Sequence, residues 1–195
     1  MIIDFAAFER DFLAACLDGL NLLIERYNAD PYYAISIYVD GFDGDFGLYA
    51  NTARYFERTL AEYQRNYPDS YRKPIEIQEL KYNCGDWAYQ LGMPEDFDLA
   101  VSSKLSAWSK HVYDLSYNQR VLELEHYPLF DEAACRVATS RDLLEALQPL
   151  NKTSDFLITV SGHDEPELAS IYRPQWFAEK GSLEGFDPYA YSSHR

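Results

Sequence analysis

Hydrophobic residues recur at steps of three and four through the first 27 residues, which predicts a long amphipathic N-terminal helix. The apolar positions are Phe5, Phe8, Phe12, Cys16, Leu20, Leu23 and Tyr27. Asp4 is a suitable N-cap, and Asn28 with Asp30 and Pro31 ends the pattern. Gly19 weakens the prediction of a continuous helix, because glycine inside a helix costs about 1 kcal/mol relative to alanine.

The periodicity then changes to two, which is typical of β-strands. In YYAISIYV (32–39) one set of side chains is predicted to share a face: Tyr33, Ile35, Ile37 and Val39. The alternate set is predicted to point the other way: Tyr32, Ala34, Ser36 and Tyr38. FGLYA (46–50), IEIQELKY (75–82) and the apolar FLITVSG (156–162) are predicted as further strands.

Four more segments carry helical spacing, and three stretches lack a clear pattern. Helices are predicted over about 52–67, 95–112 and 131–148, with a short helical stretch from Pro174. VLELEHY (121–127) fits a strand or a helix, and we favour helix. Residues 83–94 read as irregular, and 181–195 as a tail that is poorly ordered unless it docks. Together these predict one α+β domain over 1–195, with helices packed on a mixed or antiparallel sheet.

The composition narrows the classes of partner. Hydrophobic residues make up 47% of the chain and aromatic residues 16%, enough to bury a core. The net charge is -15, so the protein repels nucleic acid and anionic membranes. That charge would attract a basic protein partner, or would serve solubility alone. The N-terminus lacks the pattern of a signal peptide and no run of about 20 apolar residues follows, so we expect a cytoplasmic protein.

The loop YVDGFDGDFG (38–47) combines aspartate and glycine in a way that suggests either a metal loop or a bend. An EF-hand needs oxygen ligands at its first, third, fifth and twelfth positions. Counting from Asp40 or from Asp43 fails this test, since Phe42, Gly44 and Gly47 fall at ligand positions. Glycine and aspartate are also what a hairpin turn requires. We therefore predict the bend of a hairpin and no metal.

No recognised catalytic motif occurs, so we predict a protein that is not an enzyme and uses no cofactor. GxSxG, P-loop and GxGxxG patterns are absent from the sequence. The three cysteines include no CxxC pair, which argues against a disulfide framework and a zinc knuckle. The best catalytic alternative is His163, beside Asp164 and Glu165, as a general base. That reading requires His163 and Asp164 to share a concave pocket with Trp87 or Cys84.

Several stretches resemble a family of uncharacterised bacterial proteins of about 180–200 residues. They are YYAISIYVDG running into GLYANTARYFER, then LKYNCGDWAYQLG, then FLITVSGHDEPELASIYRPQWFAEKG. Some members of such families lie beside polymorphic toxins, so the resemblance implies an immunity protein that blocks a basic toxin. It supplies no catalytic residue. An adaptor role in another assembly remains a further alternative.

Charge and resemblance together predict a non-catalytic binding protein with an acidic, aromatic-containing surface. The residues predicted to bind the partner are Asp40, Asp43, Asp45, Trp87, Tyr89, Asp164 and Glu165. Tyrosine and tryptophan are enriched in binding hot spots. They are equally common as core and edge residues whose polar tips reach water.

Overall fold

The computed structural model of the protein describes residues 3–91, 103–122 and 126–192. The strands are β1 (Tyr32–Asp40), β2 (Asp45–Thr52), β3 (Tyr89–Leu91) and β4 (Lys152–Ser161). The helices are α1 (Phe5–Arg26), α2 (Ala53–Asn66), α3 (Pro74–Tyr82), α4 (Ser103–Tyr113), α5 (Tyr127–Ala138), α6 (Arg141–Ala146) and α7 (Ala169–Lys180). The predicted α+β class and the long N-terminal helix are confirmed.

The four strands form one mixed sheet in the spatial order β3-β2-β1-β4. β1 and β2 make the predicted antiparallel hairpin, with Ile35 opposite Ala50. β1 also pairs with β4 in parallel, with Ile35 opposite Ile158. Because these two strands run in the same direction, their C-terminal ends lie side by side at one edge of the sheet.

The larger core lies between the sheet and α1, which is continuous through Gly19. Phe8 of α1 packs edge-on against Phe46 of β2 and Phe130 of α5, with ring centroids 4.8 and 5.2 Å apart. A Cβ atom at Gly19 would lie 3.2 Å from Leu91 of β3. Glycine therefore allows α1 to approach the sheet closely, and this packing offsets its low helix propensity.

The opposite face of the sheet carries a smaller, aromatic-rich cluster. Its buried members include Tyr33, Tyr49, Tyr82, Cys84, Trp87 and Ile171. The predicted faces of β1 are wrong at its first two residues: Tyr32 lies in the larger core and Tyr33 in the smaller cluster. A register shift between Tyr32 and Ala34 interrupts the alternation and exchanges the two side chains.

The strand predicted over 75–82 is wrong, because this segment forms α3. Pro74 occupies the start of the helix, where its missing N–H costs nothing. The Glu76 carboxylate accepts the backbone N–H groups of Arg72 and Lys73. The alternating Ile75 and Ile77 are not core residues; Ile75 is exposed and α3 buries only Leu80 and Tyr82. Residues 83–94, predicted as irregular, contain the short strand β3.

The helix predicted over 131–148 is two helices, α5 and α6, separated at Thr139 and Ser140. The Ser140 hydroxyl accepts the backbone N–H of Leu143 and thereby caps α6. The helix predicted from Pro174 is longer than expected, since α7 starts at Ala169 and contains that proline. The start of the helix predicted over 95–112 lies outside the described residues. Of the helix predicted over 121–127, residues 121–122 are not helical and 123–125 lie outside the described residues.

The C-terminal tail docks onto the domain as far as it is described. Leu183 packs against the larger core, and its N–H donates to Glu132. Tyr191 stacks on Tyr172 of α7 with ring centroids 4.4 Å apart. These contacts satisfy the condition under which the tail was expected to be ordered. Within the described ranges, no helix joins the length and the apolar character that a bilayer crossing requires.

Candidate functional site

The acidic loops after β1 and β4 meet at one edge of the sheet because these strands are parallel neighbours. Asp40 ends β1, Ser161 ends β4, and Tyr38 pairs with Ser161 just inside that edge. The hairpin loop therefore faces the loop that contains His163 and Asp164. Ligands commonly bind where the carboxyl ends of adjacent strands meet in this way.

Asp40 is buried, and its two carboxylate oxygens have different surroundings. Oδ1 accepts the backbone N–H groups of Phe42 and Asp43, at 2.8 and 3.0 Å, and so holds the hairpin turn. Oδ2 is also buried and has no hydrogen-bond partner among the described residues. The Nδ1 atom of the His163 ring lies 3.5 Å from this oxygen.

His163 lies among three polar groups at the mouth of the site. Nδ1 faces both Asp40 and the Tyr38 hydroxyl, which is 3.4 Å away. Nε2 lies 3.2 Å from Oδ2 of Asp164, a carboxylate that is 89% exposed. Both ring nitrogens thus face a carboxylate oxygen, which fixes the direction of the ring. One ligand atom each from Asp40, Asp43 and His163 lies within 4.8 Å of the other two.

The other hairpin acids are held close to one another. Asp43 accepts a hydrogen bond from the Tyr117 hydroxyl, and this bond raises the pKa of Tyr117 to about 12. Burial raises the pKa of Asp45, the carboxylates of Asp40 and Asp43 raise it further, and His163 opposes them. The three aspartates therefore form a concentration of negative charge with little nearby compensation.

Glu165 has a different role, since it pairs with a buried arginine. Arg173 on α7 is 1% exposed; its Nη1 donates to the carbonyl of Val160 at 2.9 Å, and its Nη2 donates to Glu165. Burial is the main cause that raises the pKa of nearby Asp131, to about 6; Arg173 opposes the rise, and Glu165 and Asp40 contribute to it. Glu165 thus ties the loop after β4 to the interior.

A cleft of about 250 Å³ opens beside these loops. Its walls include Tyr38, Tyr82, Cys84, Ser161, His163, Asp164, Glu167 and Ser170. His163 and Asp164 thus share a concave pocket with Cys84, as the catalytic alternative requires. Burial raises the pKa of the Cys84 thiol to about 11, so the thiol stays protonated near neutral pH. A protonated thiol is a poor nucleophile, which argues against this role for Cys84.

The structure brings the five predicted acids together at the C-terminal ends of β1 and β4. We call this surface, formed by Asp40, Asp43, Asp45, Asp164 and Glu165, the acidic edge. The two predicted aromatic residues lie elsewhere. Trp87 is 4% exposed, packs on Tyr33, and donates its indole N–H to the carbonyl of Lys81. Tyr89 is half-buried on β3 opposite Ala50, towards the other end of β2 from Asp45. Neither ring lies on the acidic edge.

Sequence reasoning missed Arg173, Asp131 and Tyr117. A helical signal existed for Arg173, because residues four apart share a face of a helix. On α7 that spacing places Arg173 between Ala169 and Phe177, both of which are buried. No comparable signal existed for Tyr117, which meets Asp43 from a distant part of the chain.

Comparison with known proteins agrees with an uncharacterised family. A family model described as a domain of unknown function (DUF4303) matches residues 12–172, most of the chain. The protein belongs to the DUF4303 family. No curated protein and no solved structure matches the chain. A location beside toxin genes stays a prediction.

The DUF4303 match includes both halves of the acidic edge. Asp40, Asp43 and His163 all fall inside residues 12–172. The match ends at Tyr172, immediately before Arg173. The loops that form the acidic edge are thus part of the DUF4303 domain. Arg173, the buried cation that supports them, is the first residue after the match.

Proposed function

We propose that this DUF4303 protein is a non-catalytic binding protein that captures a basic protein partner. The binding surface is the acidic edge, formed by Asp40, Asp43, Asp45, Asp164 and Glu165. The observation that supports the proposal most is the convergence of these acids, from loops about 120 residues apart, on one edge of the sheet. With a net charge of -15, the field of the whole molecule adds to that of the edge.

Some acids of the acidic edge are exposed to a partner, and the others are held by contacts within the domain. Asp164 is 89% exposed, and Asp43 and Asp45 are partly exposed, so these three reach a partner directly. Asp40 and Glu165 are held from within by backbone N–H groups and by Arg173. Such an arrangement presents negative charge on a rigid base, which favours fast and oriented capture of a cationic surface.

The class of partner that we propose is a basic bacterial toxin domain, which would make the protein an immunity protein. The toxin association of similar families and the charge of the edge both favour this partner. Nuclease toxins need cationic surfaces to bind nucleic acid, and an acidic inhibitor is complementary to them.

Association kinetics test this proposal. The probes are catalytically inactive basic toxin domains, including any encoded beside the gene, and co-expression with active toxin reports rescue of growth. With a cognate domain, raising salt from about 50 to 500 mM should lower the association rate at least about tenfold. The dissociation rate should change much less, because short-range packing governs it.

A matched pair of triple variants locates the surface. Asp43→Asn, Asp45→Asn and Asp164→Asn together should slow association, because they neutralise the exposed part of the edge. The control neutralises three exposed acids elsewhere: Glu57→Gln and Glu62→Gln on α2, and Asp142→Asn on α6. Both variants lose the same net charge. Equal slowing by the two would show that total charge, and not this edge, steers the partner.

A small-molecule binding function is the second candidate, and the cleft that contains His163, Cys84 and Ser161 favours it. The protonated Cys84 thiol argues against covalent catalysis there. The hydroxyl, carboxylate and imidazole groups of the cleft walls suit a small polar ligand instead. A ligand screen by thermal shift would test this function. Tyr38→Phe or Ser170→Ala should weaken a hit that binds in the cleft, and a hit indifferent to both lies elsewhere.

A further inference from the structure

We propose that Asp40, Asp43 and His163 form a binding site for a divalent transition-metal ion, with Zn²⁺ as the best match. The inference is independent of the proposed capture of a basic partner, since it concerns the protein and the metal alone. Two ligands come from the hairpin loop and the third from the loop after β4. The set differs from an EF-hand, whose ligands all come from one loop.

The first argument is the buried oxygen that has no partner. Oδ2 of Asp40 accepts no hydrogen bond from any residue that the structure describes, although Asp40 is only 4% exposed. An unsatisfied buried polar atom is costly and calls for an explanation, of which a bound ion is one. This oxygen lies 3.5 Å from the His163 Nδ1. A metal between the two would satisfy it.

The second argument is the distance between the ligand atoms. The three ligand atoms lie within 4.8 Å of one another. In a tetrahedral zinc site with bonds of about 2.1 Å, ligand atoms are about 3.4 Å apart. Asp40 Oδ2 and His163 Nδ1 are already 3.5 Å apart, and the half-exposed His163 ring has room to adjust. Asp43 is partly exposed and lies in the same turn as Asp40, so it has room to close the remaining difference.

The third argument is the second layer of hydrogen bonds, which already orients each ligand. A histidine that binds metal usually donates its other ring N–H to a carboxylate. Here Nδ1 faces the metal position, and Nε2 lies 3.2 Å from Asp164. The Tyr117 hydroxyl holds Asp43, and two backbone N–H groups hold the other oxygen of Asp40.

The chemistry of the ligands selects the metal. Three protein ligands that leave one position open for water are the arrangement of open zinc sites, and imidazole is a ligand that suits Zn²⁺. Mg²⁺ and Ca²⁺ favour shells made of oxygen alone.

Metal titration of the purified protein tests the site. After removal of metal with EDTA, calorimetry with Zn²⁺ should give one site per chain, and Mg²⁺ or Ca²⁺ at the same concentrations should not compete. His163→Ala should weaken Zn²⁺ binding at least about 100-fold, and Asp164→Asn about tenfold, as loss of an outer partner does. His111→Ala, which removes an exposed histidine of α4, is the control and should leave the affinity unchanged.

Two outcomes would overturn the proposal. In one, Zn²⁺ affinity is the same in the wild type, His163→Ala and His111→Ala. In the other, wild-type protein binds no Zn²⁺. Asp40→Asn gives a further check, because asparagine keeps the oxygen that the turn requires. If that variant fails to fold, His163→Ala still decides, since its side chain is 53% exposed.

Discussion

Gly44 provides a sharp test of how the hairpin is held against the rest of the domain. Its φ is +79°, a conformation that costs other residues about 1–2 kcal/mol. A Cβ atom there would also lie 2.6 Å from the backbone oxygen of Ser109 on α4. Overpacking against backbone adds about 1–3 kcal/mol. Gly44→Ala should therefore lower the free energy of unfolding by about 2–5 kcal/mol.

Gly181 separates the conformational cost from the packing cost, because its φ is nearly the same and the space around it is open. Its φ is +76°, and within the described part of the chain no heavy atom lies within 4 Å of the position of a Cβ. Gly181→Ala should cost only the conformational part, about 1–2 kcal/mol. Urea unfolding followed by circular dichroism measures both variants. Equal costs within about 0.5 kcal/mol would show that the hairpin is not clamped against α4.

Two further predictions concern the buried charges. Arg173→Met should lower the free energy of unfolding in urea by about 3–5 kcal/mol, because it leaves Glu165 and the Val160 carbonyl without their donor. The control Arg141→Met, at a side chain that is 87% exposed, should lower it by less than about 1 kcal/mol. A small loss at Arg173 would contradict a buried ion pair. For Asp131, the raised folded pKa means that the folded chain holds a proton that the unfolded chain releases, so this group lowers stability as pH rises from about 4 to 6. Asp131→Asn, measured in EDTA, should gain up to about 3 kcal/mol over wild type between pH 4 and pH 7, and a constant difference would contradict the assigned pKa.

Local patterns predict most of the fold here, and they fail where burial does not follow the pattern. The spacing of Phe8, Phe12 and Leu20 locates α1 because each of them faces the core. The alternation of Ile75 and Ile77 predicts a strand wrongly, since Ile75 is exposed and Pro74 starts a helix. β3 has only three residues, too few to show any period.

The candidate site depends on a pairing that no local pattern encodes. The sequence identifies Asp40, Asp43 and His163 separately, and hairpin chemistry explains the first two. An apolar strand such as β4 can pair with either strand of a hairpin, in parallel or antiparallel. Only its parallel pairing with β1 places His163 beside Asp40.

The parallel neighbours β1 and β4 also set the order of events during synthesis. Ile35 pairs with Ile158, so β4 leaves the ribosome roughly 6–25 s after β1 at about 5–20 residues per second. In that interval β2 covers one edge of β1, and the other edge exposes unpaired backbone beside Ile35 and Ile37. Such an edge invites aggregation and chaperone binding. A nascent chain that stops before Lys152 therefore presents an aggregation-prone hairpin. Asp40 and His163 come together only when β4 pairs with β1.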